Sequence, residues 1–131
     1  MTPDALVLIV EDNPRNLKLV RDVLGHAGYR TLEAPTAEEG LALASSRHPD
    51  VILMDVQLPG MDGMEALARL RAEPATADIP VAAVTAFAMK ADRERLLRAG
   101  FNAYVEKPLN VRELPDLVRS LLTGTPTGAR A

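Results

Sequence analysis

The sequence predicts an α/β fold: a five-stranded parallel sheet, doubly wound, with five helices covering both of its faces. Three observations lead there. Short apolar runs alternate with amphipathic stretches along the chain, the mark of repeated βα units. The middle of each run is apolar, as expected for strands covered on both sides. Polar residues able to do chemistry follow the runs: Glu11 and Asp12 after the first, Asp55 after the third, Thr85 after the fourth and Lys107 after the fifth. Sheets of this kind carry their ligand sites at the carboxyl ends of strands.

The elements follow in order. The first strand is expected over about Ala5 to Val10. Asn13-Pro14 reads as an N-cap with proline at the first helical position. Leu17, Val20, Val23 and Leu24 continue at helical spacing, and Gly28 closes the helix. Tyr29 to Glu33 is a less apolar strand and belongs at an edge. Thr36 with Glu39 has the form of a capping box, and its helix carries Leu41 and Leu43 and runs to about Arg47. Val51 to Met54 is the third strand. Asp62 or Gly63 opens the third helix, with Met64, Leu67 and Leu70 inward and Pro74 as its stop. Ile79 to Val84 is the fourth strand, ending at Thr85. Met89 to Ala99 is a helix closed by Gly100, and Phe101 to Val105 is the fifth strand. Asn110 is expected to cap the last helix, whose stripe is Val111, Leu114, Leu117, Val118, Leu121 and Leu122. Pro115 argues for a start one or two residues later. The expected domain is 1–122, followed by a flexible tail over 123–131.

Composition removes several classes of function. A chain of 131 residues is one domain by length. Its apolar runs are far short of the roughly 20 residues that cross a bilayer, and the first residues lack the basic start of a secretory signal. The absence of cysteine excludes disulfides and thiolate metal sites, and fits a reducing cytoplasm. A net charge of −3 and only two Tyr and two Phe, with no Trp, give no basic face and no base-stacking platform, so direct nucleic-acid binding is not expected.

The strand-end residues define the chemistry. An unpaired carboxylate at the end of a buried strand costs several kcal/mol or more, so Asp55 needs compensation. If the strand ends converge, Glu11, Asp12 and Asp55 supply negative charge and Lys107 positive charge. Oxygen ligands without His or Cys favour magnesium over zinc. Thr85 offers a hydroxyl donor, and Lys107 a point charge suited to a phosphoryl oxygen. A carboxylate nucleophile with these groups makes a phosphoryl-transfer site in which Asp55 forms an acyl phosphate.

These residues carry a resemblance. Glu11-Asp12-Asn13, Asp55 within Leu53-Met54-Asp55-Val56-Gln57-Leu58-Pro59-Gly60-Met61-Asp62-Gly63, Thr85-Ala86 and Lys107-Pro108 resemble the motifs of the response-regulator receiver domain of two-component signalling. The likeness spans about residues 5 to 122. It implies a flavodoxin-like fold with strand order 2-1-3-4-5. It implies that Asp55 is the phosphoacceptor, and that Asp12 ligates Mg2+ directly and Glu11 more often through water. The backbone carbonyl of Gln57 is implied to join the metal. Thr85 and Lys107 are implied to contact the phosphoryl group, Lys107-Pro108 to be a cis peptide, and Tyr104 to be the aromatic switch. On this resemblance, phosphorylation, which adds charge and acceptor oxygens, is implied to draw Thr85 toward them and leave space for Tyr104 to turn, a local event biasing a two-state element.

The expected function is a stand-alone, cytoplasmic phosphorylation switch. It takes phosphate from a sensor histidine kinase or a histidine phosphotransfer protein and signals to a separate downstream protein. It is not expected to be an enzyme beyond its own phosphotransfer and dephosphorylation, nor to insert in a membrane. A phosphate-promoted homodimer through the switch face is compatible with the same chemistry. Two other readings stand beside it. One is a phosphatase with an aspartyl-phosphate intermediate, as in haloacid-dehalogenase-like proteins, which carry a second acid where this chain has Gln57. The other is a binding-only pseudo-receiver, against which the intact constellation argues. Small Ala86 leaves the site open to donors. Gln57 and Phe87 flank the path of hydrolytic water, and Phe87 offers that water no hydrogen bond, so a fairly long-lived phosphate is expected.

Overall fold

A computed structural model describes residues 5–86, 89–107, 110 and 112–123. Ten elements alternate along the chain: β1 (Leu6–Val10), α1 (Pro14–His26), β2 (Arg30–Ala34), α2 (Ala37–Arg47), β3 (Val51–Asp55), α3 (Gly63–Ala72), β4 (Val81–Thr85), α4 (Lys90–Ala99), β5 (Ala103–Glu106) and α5 (Leu114–Thr123). The strands form one parallel sheet in the order β2-β1-β3-β4-β5. The weakly apolar second strand is at an edge, as its composition predicts.

Strand alternation divides the core into two layers. Val7, Ile9, Leu53, Val84 and Val105 pack on one face with Val20 and Leu24 of α1 and Leu114, Leu117 and Val118 of α5. Leu8, Val10, Ile52, Met54, Ala83 and Tyr104 pack on the other with residues of α2, α3 and α4. Both faces are covered, which is why β1, β3 and β4 are buried at every position.

The capping signals act locally as read. Asn13 Oδ1 accepts from the N–H groups of Arg15 and Asn16 at 2.9 and 3.2 Å. Thr36 Oγ1 accepts from Glu39 N at 3.1 Å, and Asp62 Oδ1 from Glu65 N at 2.9 Å. Gly28 and Gly100 have φ of 101° and 118°, the left-handed conformation that ends α1 and α4.

Other details differ from expectation. The buried stripe of α2 is Ala37, Gly40 and Ala44, with Leu41 and Leu43 only partly covered. Small residues let this helix lie close on β1: a Cβ at Gly40 would stand 2.8 Å from Val10 Cγ2. Ile79 and Pro80 precede β4, and Phe101 precedes β5 while still buried in the core. Asn110 forms a turn, with its Oδ1 on Arg112 N and its carbonyl on Glu113 N, each at 3.0 Å, and α5 begins after it. Leu117 N then bonds to Glu113 O, so Pro115 falls in the first turn, where no amide is required. Val111 and 124–131, most of the expected tail, lie outside the described residues; Thr123 ends α5.

Candidate functional site

The ladders bring the strand ends into line. Val10 pairs with Met54, Asp55 with Val84, and Thr85 with Glu106. Backbone bonds extend the register past the strands: Glu11 N to Ala34 O at 3.0 Å, Val56 N to Val84 O at 2.9 Å, and Lys107 N to Thr85 O at 2.8 Å. Polar residues at the ends of four strands far apart in sequence thereby share one edge of the sheet.

Asp55 is 2% exposed and fully engaged. Its Oδ1 accepts from Gln57 N at 2.9 Å, and its Oδ2 from Lys107 Nζ at 2.8 Å. Lys107 Nζ also lies 3.7 Å from Glu11 Oε1. Glu11 is buried, and its Oε2 accepts from Asn13 N at 3.0 Å, which folds the carboxylate back over the start of α1. Asp12 is exposed beside it. Thr85 is buried at the end of β4.

One ligand atom from each of Glu11, Asp12 and Asp55 lies within 4.8 Å of the others, so a single small ion can be shared by all three. The donors are all hard oxygens, which fits Mg2+. Three carboxylates against one ammonium leave an excess of two negative charges, which a divalent cation offsets. Glu11, buried within this cluster, has its pKa raised to about 6. Burial is the main cause and the Asp55 charge adds to it, while the Asn13 N–H and Lys107 pull the other way. Burial alone would lower the pKa of Lys107, but its hydrogen bond to Asp55 and the charges of Asp55, Glu11 and Asp12 together raise it.

Glu11, Asp12, Asp55 and Lys107 are thus gathered directly, and Thr85 joins through Gln57, whose Nε2 donates to Thr85 Oγ1 at 3.3 Å. Gln57 itself follows Asp55 on the turn after β3. Tyr104 shares a sheet face with Thr85 by register: it pairs with Ala83, two residues back along β4. Its ring is already buried, packed in the core layer beneath α4. Its hydroxyl accepts from Arg93 Nη1 at 3.2 Å, and the guanidinium carbon lies 5.7 Å from the ring centre. Arg93, half-buried, is therefore a partner of this ring. Phe87 and the expected cis bond to Pro108 lie outside the described residues.

Three further contributions carry little sequence signal. The side-chain amide of Gln57 reaches across the site. Gly63 lets α3 start against the backbone of Asp55, and a glycine directly after an N-cap is the one hint of it. Arg71 ties together segments that only the fold brings near.

The comparisons agree with this geometry. Residues 7–119 match the family model described as the response regulator receiver domain. The polar-differentiation response regulator DivK of Brucella ovis is 46% identical over 116 residues, 88% of this chain and 94% of that protein. The DivK of Brucella anthropi is 45% identical over the same shares. The receiver domain of the sensor histidine kinase PA1611 from Pseudomonas aeruginosa, solved with magnesium coordinated in its active-site cleft, superposes with a TM-score of 0.84 at 34% identity, covering 92% of this chain and 98% of that one. The chemotaxis response regulator CheY4 of Vibrio cholerae superposes at 0.86 with 28% identity, covering 91% and 99%. With the family match spanning most of its length and the strand order and acidic edge in place, this chain belongs to the response regulator receiver domain family of two-component signalling.

Proposed function

We propose that this receiver is a switch phosphorylated on Asp55 by the phosphohistidine of a sensor histidine kinase or histidine phosphotransfer protein. A carboxylate oxygen of Asp55 attacks phosphorus. The P–N bond to the donor imidazole breaks as the O–P bond forms, and the imidazole, already protonated on its other ring nitrogen, takes the P–N electron pair and leaves as the neutral base. Lys107 neutralises a phosphoryl oxygen, and Thr85 donates its hydroxyl to another. Glu11, Asp12, Asp55 and the Gln57 carbonyl are the residues that would hold Mg2+, which when bound offsets the negative charge gathered at the reacting phosphorus. The observation that carries this reading is a 2% exposed carboxylate held at 2.8 Å from a lysine, beside two further acids.

The output is read through Thr85, Tyr104 and the α4–β5–α5 surface by a separate protein. The shared sheet face of Thr85 and Tyr104 supports that route. Beyond its own phosphotransfer and dephosphorylation the chain is not an enzyme: Gln57 stands where a phosphatase of the aspartyl-phosphate type needs its second acid. The described residues contain no helix long and apolar enough to cross a membrane, and the compartment that fits a cysteine-free chain with these donors is the cytoplasm. The name of the DivK relatives makes a kinase of polar differentiation the first donor to try.

The test is incubation with acetyl phosphate and Mg2+, followed by intact-mass analysis. The wild type gains one phosphoryl group, released by hydroxylamine as an acyl phosphate, and Asp55→Asn gains none. Full labelling of Asp55→Asn removes the assignment. Profiling phosphotransfer from the histidine kinases of the source organism then identifies the donor.

A further inference from the structure

Gln57 is exposed, and the family pattern asks only for its carbonyl. Its side chain nevertheless spans the site. Nε2 donates to Thr85 Oγ1 at 3.3 Å, and the N–H of Ala86 donates to Oε1 at 3.5 Å. The amide orientation follows from chemistry: a backbone N–H only donates, so the oxygen faces Ala86 and the NH2 group faces the hydroxyl. The base of the residue is fixed as well, because its own N–H is held on Asp55 Oδ1 at 2.9 Å.

The two groups gripped by this amide are a hydroxyl and a backbone N–H at the end of β4, the strand paired with Asp55. Both are donors that a phosphoryl group on Asp55 would call on. We propose that Gln57 is a positioning residue whose amide fills the place of a phosphoryl group in the unphosphorylated chain: its oxygen accepts from the Ala86 N–H as a phosphoryl oxygen would, and its NH2 group holds the Thr85 hydroxyl as an acceptor, until phosphate displaces the amide and Thr85 turns to donate. This rests on Asp55 as phosphoacceptor. The exchange is favourable because the amide is neutral and its bonds are long, whereas a phosphoryl oxygen makes short, charge-assisted ones. It also means that each phosphorylation must first break the bridge. Gln57 therefore slows uptake of phosphate and keeps Thr85 from moving early.

The experiment uses the full chain with Gln57→Leu and Gln57→Glu, reading the Ala86 amide resonance and the rate of phosphorylation by acetyl phosphate with Mg2+. Leucine removes both ends of the bridge. The Ala86 amide proton should move upfield in the unphosphorylated chain, and the rate should rise roughly three- to tenfold, the worth of one exchanged hydrogen bond. Glutamate keeps an acceptor for Ala86 and adds negative charge, so the resonance should stay near its wild-type position while the rate falls. Once phosphorylated, the wild type and Gln57→Leu should share one Ala86 position. A Gln57→Leu chain whose Ala86 resonance does not move overturns the proposal, as does one that is phosphorylated at the wild-type rate. A wild type that takes no phosphate fails the Asp55 reading instead, a result distinct from a labelled wild type with an indifferent Gln57.

Discussion

An added Cβ at Gly63 would stand 2.7 Å from the Asp55 carbonyl oxygen and 2.8 Å from Val56 Cα, both backbone atoms that cannot rotate away. The Gly63 N–H bonds to Val56 O at 3.0 Å, so α3 begins tight against the strand end that presents Asp55. Gly63→Ala must push the two apart. We expect a loss of about 2 kcal/mol in chemical denaturation, in the usual range for overpacking, and slower phosphorylation of the folded fraction because Asp55 is displaced from Lys107. Unchanged stability and rate would mean that this contact is soft. The residues that meet at the acidic edge were unevenly legible in sequence. Asp55, Asp12, Thr85 and Lys107 stood out because a charged or hydroxyl side chain after an apolar run needs a reason. Gly63 and the amide of Gln57 act through what lies across from them, and neither a missing methyl group nor a polar turn residue announces its neighbour.

Arg71, in the last turn of α3, shows the same limit for whole elements. Its Nη1 donates to the carbonyls of Ala77 and Ile79 at 3.0 and 2.7 Å, and its Nη2 to Gly100 O and Asn102 Oδ1 at 3.1 and 2.8 Å. Asn102 Oδ1 also accepts from Val81 N at 2.9 Å. One guanidinium thus clamps α3, the approach to β4 and the turn between α4 and β5, at the edge opposite the acidic site. Burial lowers its pKa, with the Asp78 charge working against that shift. Arg71→Met should destabilise by roughly 2 kcal/mol, since bonds to a charged group are lost from part-buried carbonyls. Arg71→Lys should restore little, because an ammonium cannot span the fork. Urea melts of the two variants decide it: a lysine variant as stable as wild type would reduce the clamp to a simple charge. Strands and caps were readable because their signals are local: apolar runs, Asn13-Pro14, Thr36 with Glu39, Asp62. The clamp was not, since its acceptors are up to 31 residues away. The start of α5 was half readable, with Pro115 pointing to the right region and Asn110 misread as the cap rather than a turn before it.

Across the whole molecule the burial of Glu11 in the acidic edge ties stability to pH, and the negative charge of that edge ties it to metal. The pKa of Glu11 is raised from 4.5 to about 6 in the folded chain. Between those values the folded carboxyl holds more proton than the unfolded one, so stability falls as pH rises through the window and stays lower above it. A difference of about 1.5 units corresponds to a loss on the order of 2 kcal/mol. Lys107 does not interfere. Its raised pKa gives stability that is fully present below its ordinary value of 10.5 and is lost only at more alkaline pH. Mg2+ binds the ionised form of the cluster and should offset the loss where Glu11 is charged, with apparent affinity weakening as pH drops below about 6. In chelator, thermal or denaturant unfolding of the wild type should therefore show stability declining from about pH 4.5 to about 6, a decline absent from Glu11→Gln. Saturating Mg2+ should flatten the wild-type profile and do less for Glu11→Gln, which has lost one carboxylate of the acidic cluster. An equal decline in both chains would assign the titration to another group. A stability increment from Mg2+ that is the same below about pH 5 and above about pH 7 would separate metal binding from the ionisation of Glu11.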